Sequence, residues 1–395
     1  LVLPSTYFES LGIDYLGPID GHDIVELDKT LKKAKKSPHT ILVHCFTTKG
    51  KGYSYAEKDT LGSWHGVQPF QIETGFAKEE KKGLTWSAFY SQLVDESMQK
   101  DENIVYLNPA MIYGSEAMDI FEHYPTRAFD VGIAEEHCLS MASGLAINKK
   151  HPIVAIYSTF LQRAIDQLNQ DLCRMELPCT LLIDRAGLVG ADGETHQGIY
   201  DLSFLNTIPN LNIAAPKDFS ELENMLKFSM QLEKPIAIRY PRGGEGNVEF
   251  QKHTQIELGK AEIIQEGTDI SIFAIGKMVS TAKEVADILL GENIEAEVIN
   301  VRFLKPMDEE TIIKSIQKTK NAITIEDNEI TGGLGETISF LLSQEGENYP
   351  ITHYAYPDAF IKHGTVKEIE KIYGMDAKSI AEKIIIQNDK HRMIV

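Results

Sequence analysis

Glu135 opens a run, EEHCLSMASGLA, in which Leu139, Ala142, Leu145 and Ala146 recur at a helical interval. Leu139 and Ala142 stand four and seven residues beyond Glu135, so this carboxylate lies on the face that buries. Glu136 lines up with Ser140 and Ser143 and faces outward. A buried carboxylate is costly unless something compensates it. Either the helix N-terminus does so or the acid has a functional partner, and the residues downstream favour the partner. In YSTFLQR, Tyr157, Phe160 and Arg163 recur at intervals of three and share a face of the first helical turns. An aromatic ring beside an arginine can stack on a flat heterocycle and grip an anion; the same pair also suits a core phenylalanine and a surface arginine. DRAGLVGADGETHQ, residues 184–197, is a long polar loop carrying Arg185, Asp192 and His196. Histidine is the natural proton shuttle near neutral pH, although a loop histidine also commonly faces solvent. The density of glycine implies that this loop's backbone approaches something closely. RYPRG puts Arg242 where backbone and side chain could cradle a phosphate, or where a strand-end arginine makes a salt bridge.

These residues need elements to hold them. A short apolar strand (Val131, Ile133) is expected before the Glu135 helix. Strand Pro152–Ile156 precedes a helix through Leu161–Met175, and strand Thr180–Ile183 ends in DRAG. Strand Ile236–Tyr240 ends in PRGG. Trp86–Met98 and Phe219–Leu232 read as helices, and Ile104–Leu107 and Ile213–Ala215 as strands. Such alternation implies a mostly parallel sheet covered on both faces, with ligands at the carboxyl ends of its strands. Residues 84–243 thus form one α/β domain. Residues 1–66, with helical periodicity over Asp23–Lys36 and a buried strand Ile41–Phe46, look like the tail of another. Residues 260–395 repeat the style, with strands Ile270–Ala274, Ala296–Asn300 and Ala322–Ile325. Stretches 67–83 and 244–259 read as linkers. Gly332-Gly333-Leu334-Gly335 opens a helix, where close packing explains the glycines more readily than a phosphate does.

The chain has 395 residues, 43% hydrophobic and 25% charged, which is ordinary globular material with room for two or three domains. A formal net charge of −19 argues against nucleic acid and anionic membrane as partners, so an anionic ligand needs local arginines and lysines. The four cysteines form no CxxC pair and read as free thiols in a reducing compartment. No apolar run reaches transmembrane length, and no signal peptide is visible. The first residue is Leu1, inside an amphipathic pattern. That reads as a processed or partial chain and leaves an upstream targeting segment open. No HExxH, EF-hand loop, Walker A or GxSxG elbow occurs.

Taken together, IAEEH, YSTFLQRAIDQ, DRAGLVGADGETHQG and RYPRG resemble the 1-deoxy-D-xylulose-5-phosphate synthase family. So do YLGPIDGHD, TTKGKGY, AEKD and WHG upstream, and VRFLKPMDEE and DAFIKHG near the end. More broadly the chain is similar to transketolases and to the β subunits of 2-oxo acid dehydrogenase E1 components. The resemblance implies consecutive parallel-sheet α/β domains of the transketolase type: a diphosphate-binding remnant, a pyrimidine-binding domain and a C-terminal domain. It implies thiamine diphosphate and Mg2+ as cofactors, and pyruvate and glyceraldehyde 3-phosphate as substrates.

The resemblance also implies roles. Glu135 would bind the aminopyrimidine and Phe160 would stack on it. Tyr157, Arg163, Arg185, Asp192 and Arg242 would line the acceptor pocket. His65 and His196 would assist proton transfers, and Lys49 would approach the cofactor or substrate from the other domain. The family's GDG, later Asn and early histidine are absent, GADG not being GDG. The metal ligands are therefore expected in an N-terminal portion of the same enzyme, without which this chain would be inactive. A homodimer in the cytoplasm is implied, organellar targeting staying open. Rival expectations are an E1 β-type subunit or a transketolase, and a non-catalytic dimerisation fragment.

Overall fold

The computed structural model describes residues 4–60, 62–67, 69–78, 83–251, 255–346 and 348–394, which fall into two compact units, 1–81 and 82–395. Residues 79–82, the charged end of the expected first linker, and 252–254, within the second, lie outside the described residues.

In the first unit, strand Asp14–Asp20 pairs in parallel with strand Ile41–Phe46 through helix Ile24–Ala34. Asp23 caps that helix, its carboxylate accepting from the N–H groups of Val25 and Glu26. Strand Asp14–Asp20 and helix Pro4–Ser10 are missed by the sequence pattern. Among the described residues of this unit none is fully buried, and Ile24, Val25, Leu31 and Phe46 are exposed. The buried strand expected over Ile41–Phe46 is therefore only half-covered here.

In the second unit, a seven-stranded sheet runs in the order Phe303–Lys305, Asn212–Ala214, Pro235–Arg239, Cys179–Asp184, His151–Tyr157, Ile104–Asn108, Ala128–Asp130 among the described residues. The central strands are uninterrupted buried apolar runs, as a parallel sheet covered on both faces requires. All pairings are parallel except the first, where Phe303–Lys305 runs antiparallel to Asn212–Ala214. That edge strand comes from beyond the expected 244–259 linker. Chain connections leave Ile104–Asn108 toward one edge and His151–Tyr157 toward the other, so a topological switch point lies between them. Thr85 caps helix Trp86–Lys100 and Asp218 caps helix Phe219–Ser229.

Two expected elements differ. The strand before Glu135 is Ala128–Asp130; Val131 follows it, and Ile133 is exposed in a turn. The predicted helix Leu161–Met175 is four short pieces: α-helical Ser158–Leu161, a 3-10 turn Gln162–Ala164, α-helical Ile165–Gln167 and a π turn Leu168–Cys173. Such interruptions cluster at functional sites.

A five-stranded sheet follows among the described residues, ordered Ile351–Tyr356, Ala322–Glu329, Ile270–Ala274, Ala296–Asn300, Glu262–Gln265, with the last strand antiparallel. One hydrophobic core runs through both sheets, joining Leu107, Ile156 and Ile183 to Phe273, Ile299 and Leu304. Glu326 fills the helix start at Gly332–Gly335, accepting from Leu334 N–H at 2.7 Å and Gly335 N–H at 2.8 Å. A Cβ on Gly333 would lie 2.1 Å from its Oε2. A buried carboxylate, rather than a phosphate, accounts for those glycines.

Candidate active site

The second unit's expected site residues gather at the carboxyl edge of the seven-stranded sheet. Tyr157 ends one strand, Asp184 ends the next, and Arg242 follows the strand Pro235–Arg239.

Glu135 starts helix Glu135–Ile147 and is 3% exposed, on the same face as Leu139 and Ala142. Glu136 is half-buried and Ser140 is exposed, but Ser143 is buried, its Oγ donating to Asp171 O at 2.9 Å. Arg163 turns back to the acid: its Nη1 donates to Glu135 Oε2 at 2.6 Å. This arginine, expected on the acceptor phosphate, is engaged with the carboxylate. Oε1 has no partner among the described residues. Asp130 sets the approach to the helix by accepting from the N–H groups of Ala110 and Gly132.

Four side chains then touch in sequence. The Arg185 guanidinium lies 3.9 Å from the Tyr157 ring centroid. Tyr157 stacks on Phe160 at 5.3 Å and 7°, and Phe160 meets the His196 ring at 5.6 Å and 76°. The interval of three between Tyr157 and Phe160 does bring them together. Arg185 sits in the left-handed region, φ +59°, which aims its side chain back over the sheet. Both terminal nitrogens are engaged, Nη1 meeting Asp184 Oδ2 at 2.8 Å and Nη2 donating to Gly114 O at 2.8 Å, while the buried Nε has no partner among the described residues. Ser87 Oγ donates to the same Asp184 oxygen at 2.8 Å. Burial works against charge on Arg185, but Asp184 and Tyr157 beside it hold its pKa above the ordinary value. Burial pushes the Tyr157 hydroxyl far up, so it stays protonated.

Asp192 and Arg242, both partly exposed, pair at 2.8 Å, and the same Nη1 donates to Val189 O at 3.1 Å. His196 Nδ1 lies 2.9 Å from Thr195 Oγ1. Lys49 and His65 belong to the first unit, where both are exposed.

Sequence reasoning missed the 108–117 loop and Ser87. Asn108 is fully buried; its Oδ1 accepts from Met111 N–H and its Nδ2 donates to Ser115 Oγ. A Cβ on Gly114 would lie 2.1 Å from the Tyr157 hydroxyl oxygen. The one available signal was Asn-Pro followed by glycine after a strand, a generic turn pattern.

The family described as "Transketolase, pyrimidine binding domain" matches residues 82–244, "Transketolase, C-terminal domain" matches 259–380, and "1-deoxy-D-xylulose-5-phosphate synthase" matches 1–47. The 1-deoxy-D-xylulose-5-phosphate synthase of Caldanaerobacter subterraneus subsp. tengcongensis is 46% identical over 385 residues, covering 98% of this chain and 62% of that protein. The proteins of the same name from Heliobacterium modesticaldum and Aquifex aeolicus are 43% and 41% identical, over 96% and 97% of this chain and 59% and 61% of theirs. The chain thus spans about three-fifths of the length of the curated relatives it matches. Among solved structures, a split gene transketolase described as an inactive beta4 tetramer aligns with TM-score 0.68 and 28% identity, over 76% of this chain and 96% of that one. Transketolase from Campylobacter jejuni shares the fold at TM-score 0.64 and 15% identity, over 98% of this chain and 69% of that one. With sequence matches along nearly its whole length and a fold to suit, the chain belongs to the 1-deoxy-D-xylulose-5-phosphate synthase family.

Proposed function

We propose that this chain supplies the C-terminal part of a thiamine-diphosphate-dependent transferase. The reaction condenses pyruvate with D-glyceraldehyde 3-phosphate, giving 1-deoxy-D-xylulose 5-phosphate and CO2. The observation that carries the reading is Glu135: a buried carboxylate at the sheet's carboxyl edge, fixed through one oxygen by Arg163, with the other unpartnered among the described residues.

That arrangement fits an aminopyrimidine. Glu135 Oε1 is suited to share a proton with the ring nitrogen N1′, and Phe160 supplies an aromatic surface nearby. When bound, thiamine diphosphate supplies the electron sink for decarboxylation through its ylid. The chain's own residues bind and orient. Arg163 keeps Glu135 in one rotamer, and the half-buried His196 is placed to carry a proton. Arg242 and Asp192 form the partly open ion pair that an acceptor phosphate would compete for. Arg185, held by Asp184 and Gly114, sets Tyr157 rather than reaching for the phosphate itself. Lys49 and His65, in the first unit, carry the roles that the resemblance implies for them.

No group of three or more His, Cys, Asp or Glu among the described residues could hold a metal ion. By resemblance, Mg2+ and the diphosphate are assigned to an N-terminal portion of the same enzyme. The exposed apolar faces of the first unit are what such a portion would cover. We place the enzyme in a reducing compartment, the cytoplasm, because Cys138, Cys173 and Cys179 are buried free thiols. No helix among the described residues is long and apolar enough to cross a membrane. A homodimer is the assembly we expect.

The test is product analysis by mass spectrometry. The chain is combined with an N-terminal portion carrying GDG and supplied with pyruvate, glyceraldehyde 3-phosphate, thiamine diphosphate and Mg2+. Deoxyxylulose phosphate should form only in the combined sample. Acyl transfer to a lipoyl carrier instead would move the chain to the E1 β class.

A further inference from the structure

Gln197 lies beside His196, is 2% exposed, and has both ends of its amide engaged. Its Oε1 accepts from Val189 N–H at 2.9 Å, across the loop. Its Nε2 donates to Lys362 O at 3.3 Å, in the C-terminal part of the unit. Val189 is itself buried, and its carbonyl receives the Arg242 guanidinium at 3.1 Å. The same Nη1 reaches Asp192 Oδ1 at 2.8 Å. A continuous chain of polar contacts therefore links the backbone at Lys362 to the Arg242–Asp192 pair, and Gln197 is its middle. Apolar contacts follow the same route: Leu188, within the loop, and Ile199, just after it, are buried in the C-terminal core with Ile272 and Ile361.

We propose that Gln197 is a positioning residue that ties the acceptor-binding loop to the C-terminal domain and fixes Arg242 for an anionic acceptor. This rests on the reading of Arg242 as the phosphate-binding arginine. Gln197 touches neither substrate nor cofactor. Its effect passes through Val189, whose N–H it holds and whose carbonyl orients the guanidinium. An amide is required because it must accept at one end and donate at the other; a carboxylate would repel the Lys362 carbonyl, and an apolar chain would do neither.

The test compares the unsubstituted enzyme with Gln197→Met and Gln197→Glu, each completed with the N-terminal portion. Amide hydrogen exchange should speed about tenfold at Val189 in Gln197→Met, as loss of one hydrogen bond implies, whereas in Gln197→Glu, whose carboxylate still accepts from Val189 N–H, only the tie to Lys362 is lost; strand Cys179–Asp184 stays protected in both. KM for glyceraldehyde 3-phosphate should rise by about the same factor, with kcat and the KM for pyruvate little changed. Unchanged exchange at Val189 in Gln197→Met overturns the proposal. So does faster exchange with an unaltered acceptor KM, or a loss confined to kcat. Should the unsubstituted enzyme make no deoxyxylulose phosphate, the functional reading falls by itself, and the clamp then stands or falls on exchange at Val189.

Discussion

Glu135 could be placed from spacing alone because burial on a helix face depends only on local periodicity. Its partner could not, since Arg163 lies 28 residues on and reaches back only after the interrupted helix turns it. Replacing Glu135 by alanine should lower turnover of the completed enzyme by about 10²–10⁴-fold, the range for a proton-handling group. Stability should stay within about 1 kcal/mol, because the face accepts a small apolar side chain and Arg163 is half exposed. Product assay and thermal denaturation check the two halves. A second residue carries a pH prediction. Burial pushes the Glu326 carboxyl up to about 7, against the two N–H groups that favour its charge. Between the unfolded value near 4.5 and about 7 the folded state holds the extra proton, so this group makes stability fall as pH rises through that window. His151 acts oppositely: burial lowers it to about 4, so the unfolded state holds the extra proton between about 4 and 6.5 and stability rises with pH there. Glu326→Gln should therefore remove the falling component and leave the rise; urea denaturation from pH 4.5 to 8 measures the difference.

Among the elements, strands of the parallel sheet were legible because each is a continuous apolar run, and their ends were off by one or two residues. The short edge strands were not, since three or four residues with no alternation carry no periodic signal. The loop at 184–197 shows a subtler limit. Its glycines do mark close approach, but to the protein itself. A Cβ on Gly187 would lie 2.1 Å from Asp327 Oδ2, and one on Gly190 would lie 2.8 Å from Gly364 O. Asp327 in turn holds Arg239, which also grips Asp201. Gly187→Ala should cost on the order of 2–4 kcal/mol, combining a left-handed backbone with displacement of Asp327. Gly346, at φ +71° with open space around it, is the control and should cost only about 1 kcal/mol when changed to alanine. Urea midpoints of the two variants separate strain from crowding.

For the molecule as a whole, the sequence suggested two α/β domains after residue 83, joined by a linker; the fold interlocks them. Nothing local announces that Phe303–Lys305 will leave its own domain to pair with Asn212–Ala214. Lys217 and Glu221 meet Glu262 and Arg302 in a second, ionic junction. Residues 82–395 should therefore unfold in one calorimetric transition. Phe303→Ala, which empties a fully buried ring site, should lower the stability of both parts together by about 3–5 kcal/mol. Two separated transitions, or a loss confined to one, would contradict this.

The borrowed edge strand has a practical corollary. A protease that nicks the backbone between 244 and 259 would yield two pieces on a denaturing gel yet a single peak on a sizing column, because the smaller piece keeps one of its strands threaded into the larger one's sheet. Genetic dissection at that point would give neither half a finished edge, so a cut meant to leave the second unit whole belongs near residue 82 instead.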